Sequence, residues 1–89
     1  MKYALGYIDC KVSYEKRMQL IWVRQKLGDE LFKEINQDWC EIELVEELHP
    51  TLPDDLFKRV NIFVKVDQSY KQALLFPVKY GEFIERTIC

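Results

Sequence analysis

Glycine and proline are scarce in this chain, three of each in 89 residues, and Gly6, Gly28 and Gly81 stand far apart. A phosphate-binding loop needs clustered glycines so that backbone amides can approach the anion. No GxGxxG and no GxxxxGK(S/T) occurs, which excludes nucleotide-binding loops of those kinds. The same scarcity leaves little room for long loops or a linker, and residues 1–89 read as one compact domain. Histidine occurs once, as His49 between Leu48 and Pro50. A Cys-His site would have to use it, yet no nucleophile motif surrounds Cys10 or Cys40. His49 is expected to serve its own loop, by solvation or a hydrogen bond to a neighbour.

Cysteine is the next shortage. Cys10, Cys40 and Cys89 form an odd set without a CxxC pair. That speaks against a disulfide scaffold and against zinc-finger spacing, and for reduced thiols in the cytoplasm. Cys89 is the last residue, whereas a prenylation box needs cysteine fourth from the end. No apolar run approaches the roughly 20 residues of a membrane span. Met1 and Lys2 lead directly into an alternating pattern, so no leader peptide is read there. Neither a metal nor a cofactor nor an enzymatic activity is expected.

What the chain does have is charge sorted by position. Residues 1–28 carry Lys2, Lys11, Lys16, Arg17, Arg24 and Lys26 against Asp9 and Glu15. Residues 29–56 carry ten acidic side chains against Lys33 alone. Residues 57–89 are basic again, with Lys58, Arg59, Lys65, Lys71, Lys79 and Arg86 against three acids. A net charge of −2 therefore conceals an acidic middle between two basic ends. Such a field can steer a basic partner, or be neutralised when the segments fold together. Hydrophobic residues make up 48% of the chain and aromatic ones 13%, enough to build a globular core.

Hydrophobic spacing gives the elements. Lys2–Val12 alternates as a strand, with Ala4, Gly6, Ile8, Cys10 and Val12 on one face and Tyr3, Leu5, Tyr7, Asp9 and Lys11 on the other. A helix capped by Ser13 runs to about Leu27 with Tyr14, Met18, Ile21 and Trp22 near one side, and Gly28 ends it. Asp29 caps a second helix over Glu30–Gln37. Trp39–Glu46 admits two readings: Ile42 and Leu44 alternate with Glu41 and Glu43 as in a strand, the preferred reading, while Leu44, Val45 and Leu48 sit at helical spacing; His49-Pro50 terminates either. Thr51 is placed to cap a short helix over Pro53–Arg59, with Asp54 and Asp55 in its first turn. Val60–Val66 alternates as a strand, turns at Asp67–Tyr70 and returns as an edge strand over Lys71–Lys79, because Pro77 cannot sit in a central one. Gly81 then leads into a short helix carrying Phe83, Ile84 and Ile88. The expected class is α+β: a small mixed or antiparallel sheet with helices packed on one face, in the order β-α-(α)-β-α-β-β-α.

Two constellations could bind a partner. In the first, Glu34, Asp38, Glu41, Glu43, Glu46 and Glu47 form an acidic row with Trp39 as an aromatic anchor. Glu41 and Glu43 project from one strand face about 6.5–7 Å apart, a spacing comparable with that of phosphates along a nucleic-acid strand. Such a row can occupy a basic groove. In the second, Tyr3, Tyr7, Lys11, Phe63 and Lys65 share the outward sheet face and could stack on RNA or single-stranded DNA. The abundant aromatics also favour a homodimer or another obligate partner.

In size and charge the chain resembles small stoichiometric inhibitors, such as immunity proteins of nuclease toxins and phage proteins that block host defence or transcription. The leading expectation is therefore a cytoplasmic inhibitor or adaptor presenting its acidic face to a basic protein surface. That surface would belong to a nucleic-acid-binding enzyme if the row mimics nucleic acid. Direct nucleic-acid binding, or a non-catalytic role within a larger complex, is the alternative.

Overall fold

The structure, a computed structural model, describes residues 1–88; expectations about Cys89 lie outside the described residues. The described chain runs β1 (Lys2–Lys11), α1 (Lys16–Leu27), α2 (Asp29–Glu34), β2 (Cys40–Leu48), β3 (Phe57–Val66), α3 (Lys71–Lys79), a 3-10 turn (Gly81–Phe83) and β4 (Arg86–Ile88). The four strands form one sheet in the order β2-β3-β1-β4, with every neighbouring pair antiparallel. Val60, Ile62, Val64 and Val66 line one face of β3 and join Val23, Leu27, Leu31, Ala73 and Phe76 of the helices in a single core. The helices therefore share one face of an antiparallel sheet, and the other face is open, as the α+β reading requires.

β1 departs from strict alternation. Ala4 pairs with Phe63, but the next aligned pair is Tyr7 with Asn61, so Leu5 and Gly6 together face Ile62. Gly6 takes φ of 103° at this bulge, a value glycine reaches without Cβ strain. The extra residue flips the phase of the strand. Tyr3 and Leu5 point to the core before it, and Ile8 and Cys10 after it. Tyr3, expected on the outward face, is instead buried and stacks on Phe76 with ring centroids 5.4 Å apart.

Gly28 ends α1 as expected, at φ of 88°, with its N–H donating to the Arg24 carbonyl at 2.9 Å. The face of α1 differs from the expected one. Gln19, Val23 and Leu27 are buried, one turn apart, while Met18, Ile21 and Trp22 are exposed. Gln19 tolerates burial because its amide donates to the Tyr14 carbonyl at 2.9 Å and to Glu46 Oε1 at 2.7 Å.

The second half needs three corrections. No helix forms over Pro53–Arg59: the Pro53 carbonyl accepts from Leu56 N–H and Phe57 N–H in a turn, and β3 begins at Phe57. Lys71–Lys79 is the helix α3, not a return strand. The Asp67 carboxylate caps the turn before it, accepting from the Ser69 N–H and hydroxyl at 3.0 and 2.7 Å. Ala73, Phe76 and Tyr80 then bury one helical face, and Phe76 packs edge-on against Trp39 and tilted against Tyr80. That aromatic cluster outweighs the N–H that Pro77 withholds from the helix. Finally, the segment after Gly81 makes one 3-10 turn and then β4, which pairs with Lys2–Ala4.

Candidate protein-binding surface: the acidic edge strand

β2 is an edge strand, paired with β3 on one side. Because directly opposed residues share a face, Glu41, Glu43, Val45 and Glu47 lie on the open face beside Lys65, Phe63, Asn61 and Arg59. Cys40, Ile42, Leu44 and Glu46 lie on the helical side beside Val66, Val64, Ile62 and Val60. The fold thus splits the expected row: Glu41, Glu43 and Glu47 project one way and Glu46 the other.

The basic ends of the chain reach several of these acids. Glu43 receives Lys65 Nζ at 2.7 Å and Lys2 Nζ at 3.1 Å, which hold its carboxyl below the usual range. Glu46 pairs with Lys58 and Gln19, with the same direction of shift. Glu34 lies 3.8 Å from Lys79 Nζ. Glu41, Glu47 and Asp38 are exposed and form no ion pair among the described residues. Lys65 and Arg59 feel Glu41 and Glu47 through space only. Trp39 is 5% exposed and packed on Phe76, so its ring belongs to the core.

The aromatic alternative is also thinned. Tyr7 and Phe63 do sit on the open face, and Lys11 ends β1 on the same side. Both rings already carry cations: Arg59 lies 3.7 Å from the Tyr7 centroid, and Lys2 lies 4.8 Å from the Phe63 centroid. Lys65 is engaged with Glu43, and Tyr3 is on the opposite face. A base stacking here would have to displace a bound cation first.

His49 behaves as its loop position suggests. Nδ1 accepts from the Thr51 N–H at 3.2 Å and the Leu52 N–H at 2.8 Å, so the ring proton sits on Nε2. Nε2 lies 3.1 Å from Asp9 Oδ2, which sets the β2–β3 loop beside β1. Cys10 and Cys40 are free thiols, and burial raises both above the ordinary thiol value. Among the described residues, no group of His, Cys, Asp or Glu is arranged to hold a metal ion. No helix among them is long and apolar enough to cross a membrane.

Sequence reasoning expects apolar surface at 73–76 on a return strand, and the structure puts it on a helix. Leu74, Leu75 and Val78 of α3 are 66%, 61% and 82% exposed. Reading Lys71–Lys79 as a strand misassigns which of them face outward, although Ala73, Phe76 and Tyr80 at spacings of three and four already mark the buried face of a helix. The chain matches no protein-family model, no curated protein and no solved structure.

Proposed function

We propose that this chain is a small protein-binding domain, an inhibitor or adaptor, that docks the edge strand β2 against a basic surface of its target. One observation carries the reading. Glu34, Glu43 and Glu46 are paired with lysines, whereas the exposed carboxylates Glu41 and Glu47 form no ion pair among the described residues and meet Lys65 and Arg59 through space only, on a nine-residue strand with no partner on its outer side among those residues. The exposed apolar face of α3 adds support for protein association, since such clusters on small domains mark contact surfaces. Exposed charge at a rim acts mainly on association rate and on salt dependence.

The test is a Glu41→Lys, Glu47→Lys double variant, compared with wild type in nuclease-treated lysate at low and moderate salt. The expected result is loss of a salt-sensitive protein partner with the fold intact. Retention of every partner by the double variant removes β2 from the contact. Recovery of nucleic acid from a parallel lysate without nuclease, abolished by Tyr7→Ala, Phe63→Ala, would move the contact to the open aromatic face.

A further inference from the structure

The unpaired side of β2 has a definite hydrogen-bonding parity. Val66 N–H donates to the Met1 carbonyl at 2.8 Å, and the Met1 amino group lies 3.4 Å from the Val66 carbonyl. Val66 therefore directs its backbone groups toward β1. Alternation along β3 then turns those of Lys65, Phe63, Asn61 and Arg59 toward β2. The Asp67 N–H bond to the Trp39 carbonyl at 2.8 Å fits the same parity. Through the register, Glu41, Glu43, Val45 and Glu47 spend their backbone groups on β3. Ile42, Leu44 and Glu46 aim theirs at the vacant side, where no further strand lies among the described residues.

An open surface groove lies between α1 and this part of β2, and Gln19 bridges its two sides by donating to Glu46 at 2.7 Å. Lys16 and Gln19 of α1 form one wall, and Leu44, Val45 and Glu46 of β2 form the other. A groove between a helix and a sheet edge suits an extended chain, whose backbone completes the ladder while alternate side chains reach the two faces. The two faces here differ. The open face offers Glu41 and Glu47 on either side of Glu43, which Lys2 and Lys65 already hold, and the helical face offers Ile42 and Leu44 beside Glu46.

We infer that β2 accepts an extended segment of its target as a fifth strand, one that alternates basic with apolar residues. The inference deepens the proposed docking of β2 and rests on it. Residues opposite Ile42, Leu44 and Glu46 exchange backbone hydrogen bonds and turn their side chains toward α1, where apolar groups meet Ile42 and Leu44 and a polar end meets Lys16, Gln19 and Glu46. The residues between them turn toward the carboxylates, where lysine or arginine fits. A second copy of this chain is a poor occupant. Antiparallel pairing of β2 with itself about Leu44 would set Glu41 opposite Glu47 twice, and like charges directly opposed destabilise a strand pair.

The probe is a nine-residue synthetic peptide alternating lysine and valine, with a scrambled isomer of equal charge and a form N-methylated at each valine. Binding to the whole protein is read by amide hydrogen exchange, at low salt and at 0.15 M salt as in cells. The expected result is exchange slowed tenfold or more at Ile42, Leu44 and Glu46, no change at Glu43 and Val45, and loss of that protection with the N-methylated form. Equal binding of the alternating, scrambled and N-methylated peptides, abolished by Glu41→Lys, Glu47→Lys, would overturn the fifth strand while leaving acidic docking in place. Binding by none of the peptides overturns the strand and the acidic contact together.

Discussion

Asp9 and Arg59 face each other across the β1–β3 pair, and the carboxylate takes the guanidinium side-on: Nε donates to Oδ1 at 2.9 Å and an Nη to Oδ2 at 3.4 Å. The same carboxylate meets His49 Nε2, so one acid on β1 fixes both the middle strand and the loop that enters it. Arg59 Cζ in turn stands 3.7 Å over the Tyr7 ring centroid, so four residues cluster here around Asp9. Through Arg59 the cluster joins β1 to the start of β3, where Arg59 also stands opposite Glu47 of β2.

The Arg59 hydrogen bond, helped by His49, holds the Asp9 carboxyl below its ordinary value despite desolvation. A carboxyl whose folded pKa lies below its unfolded value of about 3.9 stabilises fully above that value. The contribution is lost as pH falls through the folded pKa. Asp9→Asn should lower stability at pH 7 by about 0.5–1 kcal/mol, the range for a partly exposed pair. It should also flatten the acid limb of stability against pH below about pH 4. Urea titrations at pH 7, 5, 4 and 3 read both effects; an unchanged slope would show that the pair is energetically silent.

Phe76 and Leu75 are neighbours with opposite fates. Phe76 is buried among Tyr3, Trp39 and Tyr80, while Leu75 faces solvent. Phe76→Ala should cost about 3–5 kcal/mol, whereas Leu75→Ala should stay within about 0.5 kcal/mol. Denaturant midpoints compare them, and equal losses would contradict the helical phase of α3.

The two positive-φ glycines separate strain from crowding. A Cβ at Gly6 would stand 3.1 Å from Lys26 Cε and 3.3 Å from Glu85 Oε1, whereas one at Gly28 meets nothing within 4 Å. Gly28→Ala should therefore cost about 1–2 kcal/mol from backbone strain alone. Gly6→Ala should cost at least as much, because the bulge must also keep β1 in phase. A silent Gly6→Ala in thermal unfolding would mean that the bulge does not set the strand's faces.

Trp22 and Trp39 should be optically distinct. Trp22 is 46% exposed on α1, and Trp39 is in the core. A Trp39→Phe variant, leaving Trp22, should emit at longer wavelength and be quenched readily by acrylamide. A Trp22→Phe variant should emit at shorter wavelength and resist quenching until unfolded. Its stability should stay within about 0.5 kcal/mol of wild type.

Much of this fold is legible in local pattern. The alternation of Val60, Ile62, Val64 and Val66 marks β3, Gly28 marks the end of α1, and His49-Pro50 marks the end of β2. These signals depend on backbone preference and burial, both of which act on short windows. The errors have the same physical character in reverse. Pro77 favours a non-helical reading because it withholds one N–H, but Phe76 gains three aromatic neighbours that only the folded sheet brings to it. Gly6 reads as an ordinary member of a period-two strand until the partner strand shows two residues facing one.

The candidate site divides along the same line. The sequence by itself determined that acids would concentrate between residues 29 and 56 and that no glycine-rich phosphate loop accompanies them. Only the tertiary structure decided which acids stay free. Lys2, Lys58, Lys65 and Lys79 lie 12 or more residues along the chain from Glu43, Glu46 and Glu34, and folding delivers them to those carboxylates from neighbouring strand positions and from α3. It delivers none to Glu41 or Glu47 within ion-pair distance among the described residues, and it sends Trp39 inward. Charge content is a property of the chain, whereas charge compensation depends on distances that exist only once β2, β3 and β1 lie side by side.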